Sequence, residues 1–185
     1  MSDLHHITTD RLELSAMTEG DIDLIYSLNS DRRVWAHFPS GVHTSRERTA
    51  ALVAVQAAAW ERDGLGYWTA RLLDGTFAGV GGCSVRDQVA WNVYYRFKPE
   101  AQGQGLASEL VREACAAAAK VRPDLPITAF LLEHNLASKA VAEKAGLQLA
   151  WRGPDTGNPD PAAIRLVYAD RELMPDVLAQ LLGHP

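Results

Sequence analysis

Two glycines separated by one residue, Gly103 and Gly105, lie between an alternating apolar stretch and a long alanine-rich one. The residues from 95 to 108 read YRFKPEAQGQGLAS, which predicts a strand, a tight turn and the start of a helix. The first turn of a helix has unpaired N–H groups and the positive end of the helix dipole, and glycines leave room for a ligand. The stretch therefore predicts a cradle for a phosphate or diphosphate. Arg96, Lys98 and Arg112 are near enough in sequence to add positive charge.

Two other phosphate-binding motifs do not fit this turn. A P-loop continues from its last glycine into Lys and then Ser or Thr, whereas Leu106 and Ala107 follow Gly105 here. A dinucleotide-binding fingerprint has a third glycine where this chain has Ser108. The two glycines alone are equally compatible with a plain strand-to-helix turn that binds nothing.

The turn resembles the signature of the GNAT N-acetyltransferase superfamily, Arg/Gln-x-x-Gly-x-Gly/Ala, at residues 102–107. A second stretch, Asn-Leu-Ala-Ser at residues 135–138, is similar to the family's Asn-x-x-Ser motif. The EKAGL that follows at residues 143–147 resembles the end of the next family helix and its Gly-Phe step. The order and spacing of these motifs make the resemblance more specific than any one of them.

Three shorter stretches resemble one branch of that superfamily, the ribosomal-protein alanine acetyltransferases (RimJ/RimL-like). They are TDRLEL at residues 9–14, GYW at residues 66–68 and the Tyr-Arg pair at residues 95–96. The resemblance covers residues 7–170, nearly the whole chain, so we expect residues 1–185 to form a single GNAT-type acetyltransferase domain.

The resemblance implies a cosubstrate and the residues that contact it. In this family the central sheet splays open after the fourth main strand, and coenzyme A lies in the gap. We therefore expect acetyl-CoA as cosubstrate, with no metal, its pantetheine arm along the backbone near Phe97 and its diphosphate on the helix start. The residues that the resemblance assigns to acetyl-CoA are Phe97, Gln102, Gly103, Gln104, Gly105, Leu106, Ala107, Ser108, Asn135 and Ser138.

The chemistry that the resemblance implies is direct attack of a neutral amine on the thioester. Ser138 is the expected catalytic residue, as acid or only as hydrogen-bond donor to the departing thiolate, because Ala142 occupies the position of the usual tyrosine. Asn92 occupies the position of the usual glutamate base and cannot accept a proton. The base is therefore unassigned, although a free α-amine, with a pKa of about 8, needs one less than a lysine of about 10.4. The candidate bases are Glu133, His134 and His37, although an ordinary polar residue is the favoured interpretation of both histidines.

Aromatic residues and one long loop are candidates for the acceptor site. One or two aromatic side chains are expected in the pocket and the others in the core, from the set Trp35, Phe38, Trp60, Trp68 and Trp91. The Pro- and Gly-rich loop at residues 152–163 either approaches the acceptor or is simply solvated. Its Asp155, Asn158 and Asp160 are the polar groups available to meet a cation.

Composition narrows the class of protein. The chain has 185 residues, 47% hydrophobic and 22% charged, which suits one globular domain. A formal charge of −5 gives no support to nucleic-acid binding. No apolar run approaches the length of a membrane span. Cys83 and Cys115 are too far apart in sequence for a paired metal motif, so we expect free thiols and, with them, a cytoplasmic location.

The pattern of apolar residues predicts the elements that position these groups. Strands are expected at residues 11–17, 66–73, 77–85, 89–97, 127–134, 147–151 and 164–170. Helices are expected from Thr18, from Thr44 to Gly64, at residues 104–121 and 136–145, and after residue 170. This order predicts an α+β fold, a mixed, largely antiparallel central sheet flanked by helices, which the resemblance expects to be splayed at the cofactor site (GNAT-like).

Three functions follow from these observations. The first is acetyl-CoA-dependent acetylation of a primary amine, on a protein N-terminus or a small molecule, in a ternary complex. The second is a non-catalytic acyl-CoA-binding sensor module, which the residues at Asn92 and Ala142 favour. The third is a generic nucleotide binder. No nucleic-acid or membrane partner is expected, and a homodimer is open because the family often forms dimers.

Overall fold

The computed structural model describes residues 4–183. Eight strands and five α-helices succeed one another along these residues. They are β1 (His6–Thr8), β2 (Leu12–Ala16), α1 (Ile22–Asn29), α2 (Arg46–Asp63), β3 (Tyr67–Leu72), β4 (Phe77–Arg86), β5 (Ala90–Phe97), α3 (Leu106–Val121), β6 (Ile127–Leu132), α4 (Leu136–Lys144), β7 (Gln148–Pro154), β8 (Ile164–Ala169) and α5 (Pro175–Gly183).

The strands form one sheet in the order β1-β2-β3-β4-β5-β6-β8-β7. Every neighbouring pair is antiparallel except β5 and β6, which are parallel. The predicted mixed, largely antiparallel sheet with flanking helices is therefore confirmed. The hairpin predicted at Asp74 and Gly75 joins β3 to β4, and Gly75 has the positive φ of 85° that such a turn requires.

The parallel pair β5–β6 is where the sheet opens. β4 and β5 pair over eight residues, but β5 meets β6 only at Trp91–Ile127 and Asn92–Thr128. Lys98 N–H donates to the carbonyl of Ala78 on the β4 side, so the backbone groups of the even-numbered residues of β5 face β4. The N–H groups of the odd-numbered residues, at positions 95 and 97, consequently point into the gap. The predicted splay is present.

Helix α3 covers one face of this sheet through small residues. Its buried face carries Leu106, Leu110 and three alanines, which let the helix lie close to β4 and β5. Gly81 makes the approach possible, because a Cβ there would lie 2.7 Å from Leu110 Cδ2. The opposite face of the sheet packs on α1 and α2 around Ile25 and Val53.

The structure differs from the sequence expectations at element ends. Strand β1 was not predicted, because three residues give too short a pattern. Helix α3 begins at Leu106 and not at residue 104, because Gly103 and Gly105 both have positive φ angles, 75° and 81°. Helix α5 begins at Pro175, since proline fits the first turn of a helix but not its interior. No helix among residues 4–183 is long and apolar enough to cross a bilayer.

Candidate active site

The turn before α3 has the geometry of an anion cradle. Gly105 is the N-cap residue of the helix, and no side chain caps it. The N–H groups of Leu106, Ala107 and Ser108 belong to the first helical turn, so they have no intrahelical acceptor. Nothing lies within 4 Å of the position that a Cβ would take at Gly103. The helix start therefore offers several free donors and the positive end of its dipole to a ligand.

Arg11 and Glu109 hold this turn in place from the other end of the chain. Glu109 Oε1 accepts from Thr9 Oγ1 at 2.6 Å and from Arg11 N at 2.9 Å, and Oε2 accepts from Arg11 Nε at 2.7 Å. The Arg11 Nη1 donates to the carbonyl of Gln104 at 2.7 Å. Burial raises the pKa of Glu109, but the hydrogen bonds from Thr9 and Arg11 outweigh it, and its pKa is lowered. The motif at residues 9–14 thus fixes the glycine turn.

A cavity of about 410 Å³, here called the large cavity, extends from this turn along the open edge of β5. Nine of the ten residues predicted to contact acetyl-CoA line it, namely Phe97, Gln102, Gly103, Gly105, Leu106, Ala107, Ser108, Asn135 and Ser138. Gln104 does not line the cavity. Its side chain donates to the carbonyl of Glu100 at 2.8 Å, and its own carbonyl is held by Arg11.

Two of the predicted polar side chains are engaged within the protein. Gln102 Nε2 donates to the carbonyl of Phe97 at 3.0 Å, which ties the end of β5 to the turn. Asn135 is the N-cap of α4, and its Oδ1 accepts from Ser138 N at 3.1 Å. Gln102 and Asn135 therefore position the walls of the large cavity.

A second cavity of about 190 Å³, the junction cavity, lies where β5 and β6 separate. Tyr95, Asn135 and Ser138 line both it and the large cavity, so the two meet at these residues. The Tyr95 hydroxyl donates to the carbonyl of Ser138 over a long 3.4 Å. Burial raises the pKa of Tyr95, against a lowering by its hydrogen bond with Ser138, so the phenol is protonated at neutral pH. Ala142 lines the junction cavity without a polar group.

Tyr95 is a functional candidate that the motif comparison missed. In the sequence Tyr95 belongs to the Tyr-Arg pair of the family resemblance, whereas the usual tyrosine of the family is expected at residue 142, on the following helix. Its side chain comes from a strand and reaches the same cavity, a relation that depends on how β5 and α4 pack. The signal in the sequence was the alternation along β5, which places the side chain of Tyr95 on the same face of the strand as those of Val93 and Phe97.

The candidate bases have different positions. His37 lines both cavities, and burial, followed by the charges of Arg96 and His134, lowers its pKa to about 4. His134 lies at the surface, with its Nε2 3.0 Å from the carbonyl of His37. Glu133 binds Arg152, with Oε1 2.6 Å from Nε, and this hydrogen bond lowers the pKa of its carboxyl. Among the described residues no carboxylate lines the large or the junction cavity.

Arg96 is a buried cation beside both cavities, with only 9% of its surface exposed. Its guanidinium stacks on Trp35, with Cζ 3.3 Å from the ring centroid. Nε donates to the Tyr94 hydroxyl at 2.9 Å and Nη1 donates to the carbonyl of Val34 at 3.1 Å. The short 3₁₀ turn Arg32–Trp35 thus covers the end of β5 and holds Arg96 in place.

A third cavity of about 310 Å³, the outer cavity, adjoins the junction cavity at Phe38, Phe130 and Arg165. The loop residues Asp155 and Asn158 line it, and the approach of this loop to the acceptor stays a prediction. Arg165 Nε and Nη2 donate to the two oxygens of Asp155 at 2.7 and 2.8 Å, so this carboxylate already has a counterion. Asp160 does not line the outer cavity, and its Oδ1 accepts from the backbone at 2.9 Å.

The five aromatic candidates divide between a cavity wall and the main core. Trp35 and Phe38 line the junction cavity. Trp60, Trp68 and Trp91 are buried in the main core, each no more than 5% exposed. The described residues contain no group of three or more His, Cys, Asp or Glu placed to hold a metal ion.

Comparisons with known proteins agree with this geometry. Residues 11–148 match the family profile described as an acetyltransferase (GNAT) domain. A search of curated proteins returned no match.

Among solved structures, the chain is similar to RimL, a ribosomal L7/L12 alpha-N-protein acetyltransferase in complex with coenzyme A. The two share 23% sequence identity with a TM-score of 0.75, and the match covers 91% of this chain and 98% of RimL. A GNAT-family acetyltransferase from Bacillus anthracis has 20% identity and a TM-score of 0.73, over 89% and 96%. The Microcin C7 self-immunity acetyltransferase MccE, in complex with acetyl-CoA and AMP, has 11% identity and a TM-score of 0.70, over 89% and 94%. At these identities the likeness is one of fold.

Proposed function

Because the chain belongs to the GNAT acetyltransferase family, we propose that it transfers the acetyl group of acetyl-CoA to a primary α-amine by direct attack in a ternary complex. The family uses acetyl-CoA as its acetyl donor, and two of the similar structures contain coenzyme A or acetyl-CoA. One observation carries the proposal: the uncapped N-terminus of α3 faces a cavity of about 410 Å³ beside the open edge of β5.

The residues of the large cavity fit the parts of acetyl-CoA. The free N–H groups at the start of α3 suit the diphosphate, as donors near the positive end of a helix dipole. The backbone N–H groups of Tyr95 and Phe97 point into the gap, where they suit an extended amide-bearing arm. When bound, acetyl-CoA supplies an activated thioester carbon. A backbone N–H in this gap would stabilise the negative charge that develops on the carbonyl oxygen.

The proton for the leaving thiolate comes, in this proposal, from the Tyr95 and Ser138 pair. The amine nitrogen bonds to the carbonyl carbon, the carbon–sulfur bond breaks, and the sulfur takes a proton from Tyr95. The proton that the nitrogen loses on becoming an amide goes to solvent, and solvent returns a proton to the phenol. A serine hydroxyl is a poor acid, whereas the phenol of Tyr95 is far more acidic and its raised pKa keeps it protonated at pH 7. Ser138 then orients the sulfur, and Tyr95 is the proton donor that Ala142 cannot be.

The acceptor is proposed to be an α-amine because the cavities lack a strong base. His37 is neutral at pH 7, but with a pKa of about 4 it is a weak proton acceptor. An α-amine with a pKa of about 8 is roughly one-tenth neutral at pH 7, whereas a lysine amine near 10.4 is neutral in fewer than about one molecule in a thousand. The α-amine can therefore attack without a dedicated base. RimL is itself named an alpha-N-protein acetyltransferase, which agrees with this acceptor class.

The test is acetyl transfer measured by release of the coenzyme A thiol and by the mass of the product. We expect transfer to peptide N-termini, and little to amines of lysine side chains, with the rate rising as pH approaches the pKa of the α-amine. Tyr95→Phe should lower kcat by about a hundredfold or more, with little effect on the Kd for acetyl-CoA. Ser138→Ala should lower kcat less. A protein that binds acetyl-CoA but acetylates no amine in a broad panel would instead be an acyl-CoA-binding module.

A further inference from the structure

Arg96 carries a buried positive charge without a counterion among the described residues. Its side chain is nine-tenths buried, and no carboxylate of residues 4–183 forms an ion pair with it. Its known partners are a phenol, a backbone carbonyl and the face of Trp35, all uncharged. Burying a charge costs free energy unless it is paired, so an unpaired one indicates a missing partner.

The guanidinium retains donor capacity beside the site. Nε and Nη1 are bound to Tyr94 and Val34, whereas Nη2 makes no hydrogen bond to the described residues. The backbone groups of Arg96 face β4, because this residue has an even position on β5. Arg96 lines the large and junction cavities, and its charge contributes to the lowered pKa of His37, which lines both cavities as well.

The junction cavity is electrically positive in an acidic protein. Among the described residues that line it, Arg96 and Arg165 are the charged ones, and Asp155 neutralises Arg165. His37 does not add a compensating negative group, and its lowered pKa is partly due to Arg96. Among the described residues that line both cavities, Arg96 is consequently the one permanently charged side chain, and it has no ion pair.

We propose that Arg96 binds a carboxylate of the acceptor, located close to the reacting amine. The proposal rests on the proposed function and adds the substrate class to it: acidic α-amines, either an amino acid with its own α-carboxylate or a peptide with an acidic residue after its N-terminus. Arginine suits this task because its planar fork matches a carboxylate and stays charged when buried. Lysine-rich peptides and polyamines are disfavoured, because they would bring further positive charge to Arg96.

The experiment compares acceptors that differ by one charge. Peptides that begin with alanine and have Asp, Asn or Lys as their second residue test the peptide source, and free alanine against alaninamide tests the amino-acid source. Binding is measured by calorimetry with protein saturated with coenzyme A, and transfer by thiol release with acetyl-CoA. We expect an acidic acceptor to bind about tenfold or more tightly than its amide counterpart, as for a charge-assisted hydrogen bond.

Variants assign the preference to Arg96. Arg96→Met should abolish the preference for the acidic acceptor over its amide counterpart, while Arg96→Lys should retain part of that preference. The matched control is Arg46→Met, which removes an exposed arginine that pairs with Asp23 and lines none of the three cavities. Each variant is checked by thermal unfolding, and if Arg96→Met does not fold, the wild-type series and Arg96→Lys still decide.

Two outcomes would overturn the assignment. One is equal binding of wild-type protein to both members of each acidic and amide pair. The other is an Arg96→Met variant that loses kcat/KM by the same factor on every acceptor, as expected of a merely structural residue. Acceptor binding is measured with coenzyme A and does not require acetyl transfer. If no acetyl transfer occurs, the preference for a carboxylate can therefore still be measured, and only the proposed function has failed.

Discussion

A substitution at Glu109 should loosen the glycine turn and so weaken the binding of coenzyme A, although Glu109 does not line the large cavity. In Glu109→Gln one carboxylate oxygen becomes an NH₂ group, which cannot accept the hydrogen bonds from Thr9 or Arg11. Arg11 is half exposed, so solvent screens its interaction with Glu109, and each lost hydrogen bond contributes a free energy near the lower end of the range for such bonds. Two lost bonds at about 1 kcal/mol each give a loss of about 2 kcal/mol in the free energy of unfolding.

The effect on binding is a separate quantity. When Arg11 is no longer held by Glu109, its bond to the carbonyl of Gln104 weakens, and the turn must be ordered when the ligand binds. Fixing one backbone residue costs about 1–2 kcal/mol, so the Kd for coenzyme A should rise by about tenfold. Arg11→Met removes the same support from the other side and should have a similar effect.

The assay is calorimetric titration with coenzyme A, paired with urea unfolding of each variant. Glu113→Gln is the matched control, because Glu113 lies on the same helix and pairs only with Arg112, at 3.5 Å. It should change stability by less than about 0.5 kcal/mol and leave the Kd unchanged. The reasoning fails if Glu109→Gln and Arg11→Met lose stability but bind coenzyme A as tightly as wild-type protein, since the turn would then be fixed by α3 alone.

Three further predictions concern the fold. Gly103→Ala should lower the free energy of unfolding by about 1–2 kcal/mol, because its φ of 75° strains an alanine even though space is free for the Cβ. Gly79→Ala should lower it by more than about 3 kcal/mol, because the new Cβ would lie 2.3 Å from the carbonyl oxygen of Arg96. Equal losses in urea unfolding would contradict this order. Asn135→Ala should cost about 1 kcal/mol through loss of the α4 cap, and an unchanged melting temperature would contradict it. Burial, with the charge of Arg48, lowers the pKa of His43 to about 4, so the unfolded chain binds a proton below about pH 6.5 that the folded protein does not. Stability should therefore fall as pH drops from about 6.5 to 4, by at most about 3 kcal/mol for this residue, and a His43→Asn variant that shows the same slope in pH-dependent unfolding would exclude it.

The predictions from sequence were strongest where a few neighbouring residues decide the structure. The alternating residues of β3, β4 and β5 and the Asp-Gly turn between the first two specify hairpins, because strand period and turn geometry are local properties. The helix start after Gly105 was predicted for the same reason. The first residue of this helix was predicted two positions early. The sequence shows that Gly103 and Gly105 are present but not that both have positive φ angles, which delay the start of the helix to Leu106.

The functional site depended on contacts between distant parts of the chain. The sequence, through its family motifs, selected ten positions for acetyl-CoA, and nine of them line one cavity; that they contact the cosubstrate stays a prediction. It did not determine that Glu109 pairs with Arg11, 98 residues away, or that Asp155 is neutralised by Arg165. Only the tertiary structure decided which charges are compensated, and among the described residues this left Arg96 as a buried cation without an ion pair. The physical reason is that burial and pairing of a charge depend on the packing of separate elements around it, which no local pattern of residue types encodes.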